Sequence, residues 1–432
     1  MVKSPKKLGL LLVVALGLSL SAIATVEAKP ATEVVRTKQR LDGIYTTNLD
    51  AAEFFQVGVG QYQQRNFFAA EESLRQALRY DPQMAMGYYL LANTLLAQGK
   101  VTEAIAQYQR AIALRPSLAE AQYNLGIAFF QTNQVNAALN QFEQTLTIDP
   151  DFAPAYYNLA LTFDVQGRDI EASDLYRRAI ELDPNNVMAY NNLGLILAEQ
   201  GQNTEAIALF EQAIEIDPNF ADAQYQLGTL YFQEGQLEEA REALKIATLL
   251  DPDNAQAQYN LGLVQLRLNE ASEASESLAR AIELNPDNFE AYEQQGAALL
   301  EAGAVTEAIA ILETAADLPV ADFGTTYNLG LAYQRAGRYE DAIAQYQAVL
   351  RENPSFAPAF YQLGVSLYQS EEIRAAVPPL QEAQQLFEAQ GQLEKAQEVS
   401  LYLEERVLPA IERLEQQEAE QLQREAEQMN NQ

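Results

Sequence analysis

The stretch Ala121-Gln122-Tyr123-Asn124-Leu125-Gly126, followed by Phe142 and then by Asp149-Pro150, decides the fold, because it comes back. It returns as Tyr157-Asn158-Leu159-Ala160 before Asp183-Pro184, and as Asn191-Asn192-Leu193-Gly194 before Asp217-Pro218. Further copies are Tyr225-Gln226-Leu227-Gly228, Tyr259-Asn260-Leu261-Gly262, Tyr327-Asn328-Leu329-Gly330 and Tyr361-Gln362-Leu363-Gly364. Pro82, Pro116, Pro150, Pro184, Pro218, Pro252 and Pro286 stand 34 residues apart, and Pro354 falls two periods after Pro286. A fixed period of this length signals stacked supersecondary units, each packed only on its neighbours.

With each proline at position 32, ten repeats start at residues 51, 85, 119, 153, 187, 221, 255, 289, 323 and 357. Apolar residues at positions 4, 7 and 11, such as Tyr156, Leu159 and Phe163, share one face of a first helix. Position 8 is Gly or Ala, position 20 is always Ala, and position 27 is Ala except at Thr145 and Val349. Small residues there let two helix axes approach closely. Position 24 is always large and apolar, from Leu74 to Leu380. Position 15 is Gly or Asn, residues that tolerate the left-handed conformation ending a helix, except for Arg65 and Glu371 in the terminal repeats. A second helix then opens with an acid, as at Glu103, Glu171 and Glu205, which suits the positive end of its dipole. Proline at position 32 stops it.

This pattern resembles the tetratricopeptide repeat family across residues 51–390. The family's usual Trp at position 4 is absent. Phe54, Tyr88, Tyr156, Tyr190, Tyr292 and Phe360 fill the place in six repeats, whereas Gln122, Gln224, Gln258 and Thr326 leave it without a ring. The resemblance implies an all-α fold, a right-handed superhelical solenoid of about ten helix-turn-helix repeats whose first helices line a concave face. After Gly391 the period ends, and residues 391–432 read as a C-terminal capping helix with a Glu/Gln-rich tail. Leu401, Leu403, Val407 and Leu408 are its expected inner face, and Pro409 is expected to kink or split it.

Residues 1–28 have the three-part pattern of a signal peptide: Lys3, Lys6 and Lys7, an uncharged run over Leu8–Ala24, then small residues suited to cleavage. Export to the periplasm or another extracytoplasmic compartment is the expectation, the alternative being a membrane anchor formed by residues 8–24. Residues 29–50 read as a polar linker ending near Asp50, a candidate N-cap for the first repeat helix.

Composition excludes several kinds of chemistry. There is no Cys and no His, so disulfides, thiolate sites, imidazole ligands and the commonest general base are ruled out. The formal charge is −32, with +2 on residues 1–28 leaving −34 on the rest. Such a surface repels nucleic acid and anionic lipid. No catalytic constellation, nucleotide loop or carboxylate cluster with metal-binding spacing is visible. The acids recur with the period, as capping and solubility require, so no enzyme, metal or cofactor is expected.

The candidate site is therefore a surface. Position 6 is an amide in nine repeats, among them Asn124, Asn158, Asn192, Gln226, Asn260, Asn328 and Gln362. Position 5 adds Tyr89, Tyr123, Tyr157, Tyr225, Tyr259, Tyr327 and Tyr361. In similar glycosyltransferase repeat domains an Asn ladder on the concave face holds an extended peptide backbone, and an amide has both the donor and the acceptor for that task. The alternative is that Tyr and Asn serve only packing between adjacent first helices. The basic clamp of chaperone-binding relatives is missing, since positions 2 and 5 carry no Lys or Arg.

The expected function is a non-catalytic scaffold that binds a protein or peptide partner in its groove. Two narrower alternatives are an assembly or stability factor for an envelope or membrane complex and a regulatory subunit of an enzyme on another chain. Gln265, Gln295, an early Pro319 and Gly324 cluster between repeats 7 and 9, read as tolerated drift from the pattern or, alternatively, as a bend or soft seam.

Overall fold

A computed structural model describes residues 46–318 and 322–430. The signal segment, most of the linker and Pro319 lie outside the described residues. The chain divides into two compact bodies, one through Pro218 and one from Asn219. All the regular structure among the described residues is helical.

In the first body, repeats 1 to 5 supply five helix pairs: α1 Leu49–Gln63 with α2 Phe67–Tyr80, α3 Ala85–Ala97 with α4 Val101–Leu114, α5 Ala119–Gln131 with α6 Val135–Ile148, α7 Ala153–Val165 with α8 Asp169–Leu182, and α9 Val187–Glu199 with α10 Asn203–Ile216. In the second body, repeats 6 to 10 give α11 Ala221–Gln233 with α12 Leu237–Leu250, α13 Ala255–Arg267 with α14 Ala271–Leu284, α15 Phe289–Glu301 with α16 Val305–Ala316, α17 Phe323–Arg335 with α18 Tyr339–Glu352, and α19 Ala357–Gln369 with α20 Val377–Ala389, the last entered through a 3-10 turn at Ile373–Ala376. Then come α21 Leu393–Tyr402, a π turn at Leu403–Val407 and α22 Leu408–Asn430. Within each body every helix packs on the helices next to it in the chain.

The three small-or-large columns read from the period form the core. All ten alanines at position 20 are fully buried, from Ala70 to Ala376, and so is position 27, where Thr145 keeps its hydroxyl satisfied by donating to Gln141 O at 2.8 Å. Position 24 fills the space between paired helices, with Tyr108, Phe142, Tyr176, Leu244 and Tyr346 among the most buried large side chains. At Gly228, in position 8, the need for Gly is steric. A Cβ on Gly228 would stand 2.7 Å from Leu244 Cγ, 3.0 Å from Leu244 N and 3.2 Å from Ala240 O, and backbone cannot yield as a side chain can.

Position 15 is left-handed in every repeat, including those where the residue type argues against it. Arg65 and Glu371 take φ values of 60° and 68°, beside 59° at Asn133 and 75° at Gly99. The turn requires this conformation whatever the residue. Asn133 N donates to Phe130 O, and Gln134 N to Phe129 O at 2.8 Å, closing the last carbonyls of α5. The residue before the position-32 prolines is extended, as at Asp149 with φ −130° and ψ 96°, because the proline ring disfavours the helical region for its predecessor.

Three sequence expectations are corrected. The first helix is capped by Asn48, not Asp50: the Asn48 carbonyl oxygen accepts from Asp50 N at 3.0 Å and Ala51 N at 3.1 Å. The cap after the repeats buries Leu403 and Val407 as expected but leaves Leu401 and Leu408 over 40% exposed. Ala396, Val399 and Ala410 bury instead: with Leu403 and Val407 they recur at three- and four-residue spacing on one helical face, from which Leu401 and Leu408 point away. Most of this cap joins the same apolar cluster as repeats 8 to 10, so it is core and not merely a polar cover. The irregular seam is visible in α16, which has 12 residues where α14 and α18 have 14. Gln265 and Gln295 are both buried there. Ser277 donates to Gln265 at 2.8 Å, while the carbonyl oxygen of Gln295 is buried with no partner among the described residues.

Candidate functional site

The Tyr and amide columns predicted from positions 5 and 6 come together as rungs between successive first helices. Helices stacked one repeat apart place position 6 of one repeat beside position 5 of the repeat before it. Asn124 Nδ2 donates to Tyr89 Oη at 3.3 Å, Asn158 Nδ2 to Tyr123 Oη at 2.9 Å, and Asn192 Nδ2 to Tyr157 Oη at 3.4 Å. In the second body Tyr225 faces Asn260, and Tyr327 faces Gln362. Tyr361 ends its column by donating to Glu398 on α21 at 3.2 Å. Asn328 forms no such rung, since the residue at position 5 before it is Glu293 and not Tyr. No hydrogen bond defines a rung for Gln226, which is half-buried.

Each Asn in the first body uses both amide hydrogens within the protein. Asn124 also donates to Asn93 Oδ1 at 3.0 Å, Asn158 to Pro154 O at 2.9 Å, and Asn192 to Tyr176 Oη at 3.2 Å. Among the described residues nothing donates to the carbonyl oxygens of Asn124 and Asn158, which keep some exposure. The Asn192 carbonyl accepts from Asn191 Nδ2 at 3.3 Å and is buried. The expected ladder with both donor and acceptor is thus, where it is best formed, a ladder of acceptors.

Rings fix the rungs. Tyr123 packs against Phe142 at 5.9 Å and Phe152 at 5.0 Å, and Tyr327 against Tyr346 at 5.8 Å and Phe356 at 5.2 Å, so the same arrangement recurs in both bodies. Burial raises the hydroxyls of Tyr123 and Tyr157 well above the usual phenol range and that of Tyr89 in the same direction, against the smaller opposing effect of their Asn partners. Tyr225, Tyr259, Tyr327 and Tyr361 are more open, each half-buried.

Sequence reading missed several members of this network. Asn93 accepts from Tyr108 Oη at 2.6 Å as well as from Asn124, and Thr229 accepts from Asn260 Nδ2 at 3.1 Å. Both stand at position 9, and a polar residue in an otherwise apolar stripe was the available signal. Glu293 was also missed. Burial, then the nearby Asp322 and Glu290, raise its carboxyl above the usual range.

Among the described residues no group of acids is arranged to hold a metal ion, and no helix is long and apolar enough to cross a membrane.

A search of the curated proteins gives no match. Among solved structures the chain is similar to YrrB, described as a TPR protein with an unusual peptide-binding site, at 28% identity over 43% of this chain and 95% of that one, with a TM-score of 0.39. It is also similar to MamA, at 27% identity over 38% and 95% of the two chains with a TM-score of 0.36. A third is PilF of Pseudomonas aeruginosa, at 21% identity over 49% and 96% with a TM-score of 0.45. Tetratricopeptide repeat models match residues 153–186, 175–208, 197–261, 263–320 and 327–396, and a TPR repeat model matches residues 92–133 and 128–167. Ten repeats in one register, paired helices throughout and family models running from residue 92 to residue 396 with two short gaps place this chain in the tetratricopeptide repeat family.

Proposed function

We propose that the chain binds an extended segment of a partner protein along the Tyr and amide columns of its first helices. Proteins of this family are generally non-catalytic interaction scaffolds. The observation that carries the finer reading is the pair of Asn124 and Asn158 carbonyl oxygens, held in fixed geometry by fully used amide hydrogens. Acceptors in a row suit the N–H groups of a peptide backbone and the amino or guanidinium ends of basic side chains, and the acidic surface favours the same partners. The opening of the sequence supports an extracytoplasmic setting, which the mass of the native protein tests: loss of residues 1–24 or 1–28 agrees, whereas an intact Met1 in a membrane fraction points to an anchor.

A library of unstructured peptides, displayed and panned on the full chain, tests the binding surface. Enriched peptides should lose binding to the N124A/N158A variant, and weaken little with added salt where they are neutral. Enriched peptides that bind the folded variant as well as the wild type would remove this column from consideration. An assembly factor and a regulatory subunit would use the same surface. Recovery of membrane-complex subunits from an envelope extract supports the first, and recovery of one stoichiometric enzyme the second.

A further inference from the structure

Helices α4, α5 and α6 of the first body enclose a cleft of about 530 Å³. Gln122, Leu125 and Phe129 line it from α5, Gln109 from α4, and Asn140 and Gln144 from α6. These α5 residues lie at i, i+3 and i+7, a different stripe from Tyr123 and Asn124, so the cleft is separate from the rungs. No ionisable side chain lines it. It falls beside a run of 22 residues, 121–142, without a single charge, in a chain of formal charge −32.

One repeat further on, the corresponding place carries a ring. The residues 34 positions after Gln122, Leu125 and Phe129 are Tyr156, Leu159 and Phe163. The position of Gln144 is taken there by Arg178, whose guanidinium carbon stands 5.8 Å from the Tyr156 ring centroid. The positions of Gln109 and Asn140 become Glu143 and Asp174. Repeat 3 therefore lacks the ring that repeat 4 supplies for itself, and the cleft carries amides where the corresponding place one repeat further on carries charges. The fold leaves the vacated volume open because neighbouring backbones are set by the buried columns at positions 8, 20 and 24, and do not collapse around one missing ring.

We propose that this cleft is a docking site for a tyrosine side chain of a partner protein. The ring lies over Leu125 and Phe129, at the place in repeat 3 that Tyr156 holds in repeat 4, and the hydroxyl meets the amide of Gln144 in the place of Arg178. The chemistry selects this occupant in two ways. An uncharged lining disfavours a Lys, Arg, Asp or Glu side chain, whose charge would be buried without a partner. An amide rim gives a phenol both a donor and an acceptor, which an aliphatic side chain would leave unused. The volume is that of a small ligand pocket and has room for the ring together with adjoining backbone.

The capped tripeptide acetyl-Gly-Tyr-Gly-amide is the probe, with acetyl-Gly-Lys-Gly-amide as its counterpart. Saturation-transfer NMR on the full chain should show contact at the tyrosine ring protons and none at the lysine side chain. Gln122→Tyr installs the ring that repeats 2 and 4 already carry at this position, so it should fold, melt no lower than the wild type and lose the tyrosine signal. Ala137→Phe blocks the cleft from α6 and should lose the signal too, which keeps the test decisive if either variant fails to fold. An undiminished signal in a folded blocked variant, or equal contact with the lysine peptide, overturns the proposal. So does a wild-type mass that rises with concentration and is lost in Gln122→Tyr, because the ring would then come from a second copy of this chain.

Discussion

The hydroxyl of Tyr123 accepts a hydrogen bond of 2.9 Å from Nδ2 of Asn158, 35 residues and one repeat further along the chain. Residues proposed to meet a ligand thus also fasten one repeat to the next, and binding has to be separated from stability by experiment. Removing one rung by Asn158→Ala should cost about 0.5–1.5 kcal/mol. In urea unfolding, the double variant with Tyr123→Phe should cost less than the two single changes added together, because they break one bond. Strict additivity would mean that the rung contributes nothing.

The Gln295 side chain occupies position 7, where eight other repeats have Leu, and its carbonyl oxygen is buried without a partner among the described residues. Gln295→Leu should stabilise the second body by about 1–3 kcal/mol by removing an unmet polar group and restoring apolar contact. Hydrogen exchange in α13 to α15 should slow in the same variant. Unaltered exchange would show that the seam is already as tight as the rest.

At the left-handed turns, Arg65→Gly and Glu371→Gly should each raise stability by up to about 1 kcal/mol, since only Gly takes positive φ without strain. The reverse change at Gly99, φ 75°, should lower it by a similar amount. Thermal melts of the three variants check the sign. A loss on Glu371→Gly would mean that the added freedom of the unfolded chain outweighs the strain.

Two pH limits follow from the buried groups. Burial would raise the Glu71 carboxyl, but hydrogen bonds from Lys100, Arg75 and Gln98 outweigh it and hold it at about 2. A depressed carboxyl stabilises the fold above its unfolded value and loses that contribution as pH falls towards 2. The difference in melting temperature between the wild type and Glu71→Gln should therefore shrink between about pH 5 and pH 2. Tyr123 and Tyr157 are shifted the other way, upward by burial, so their neutral forms support the fold up to the unfolded phenol value and oppose unfolding less as pH rises past it. Absorbance titration should show the exposed phenols ionising near pH 10 and a buried group only together with the loss of helix. A single smooth transition near pH 10 with helicity intact would contradict their burial.

Truncation separates the cap from the tail. Ending the chain at Gly391 removes Val399, Leu403 and Val407 from the core cluster and should lower the melting temperature as well as solubility. Ending it after Leu414 removes mainly exposed residues and the Arg374–Glu418 pair, 2.7 Å apart and half exposed, and should leave the melting temperature nearly unchanged. Equal melting temperatures for the two truncations would place the cap outside the core.

The 34-residue period was enough to determine the helix pairs, their order, the buried columns at positions 20, 24 and 27 and the left-handed turn at position 15. These are local or nearest-neighbour properties, and a repeat states them ten times. At the two terminal exceptions only the structure shows the same turn, since the residue types of Arg65 and Glu371 argue against it. Tertiary structure decided what the sequence left open. It alone shows that the amide hydrogens of Asn124 and Asn158 are already engaged, since the partners of Asn124 are side chains on a neighbouring helix 31 and 35 residues away. It alone places Val399 inside and Leu401 outside, because it fixes which face of α21 meets the repeats, and residues two apart on a helix do not share a face. The missing ring at Gln122 could be read from the sequence, but whether the fold would close over the gap or leave a cleft depended on backbones fixed by the packing of all the other columns.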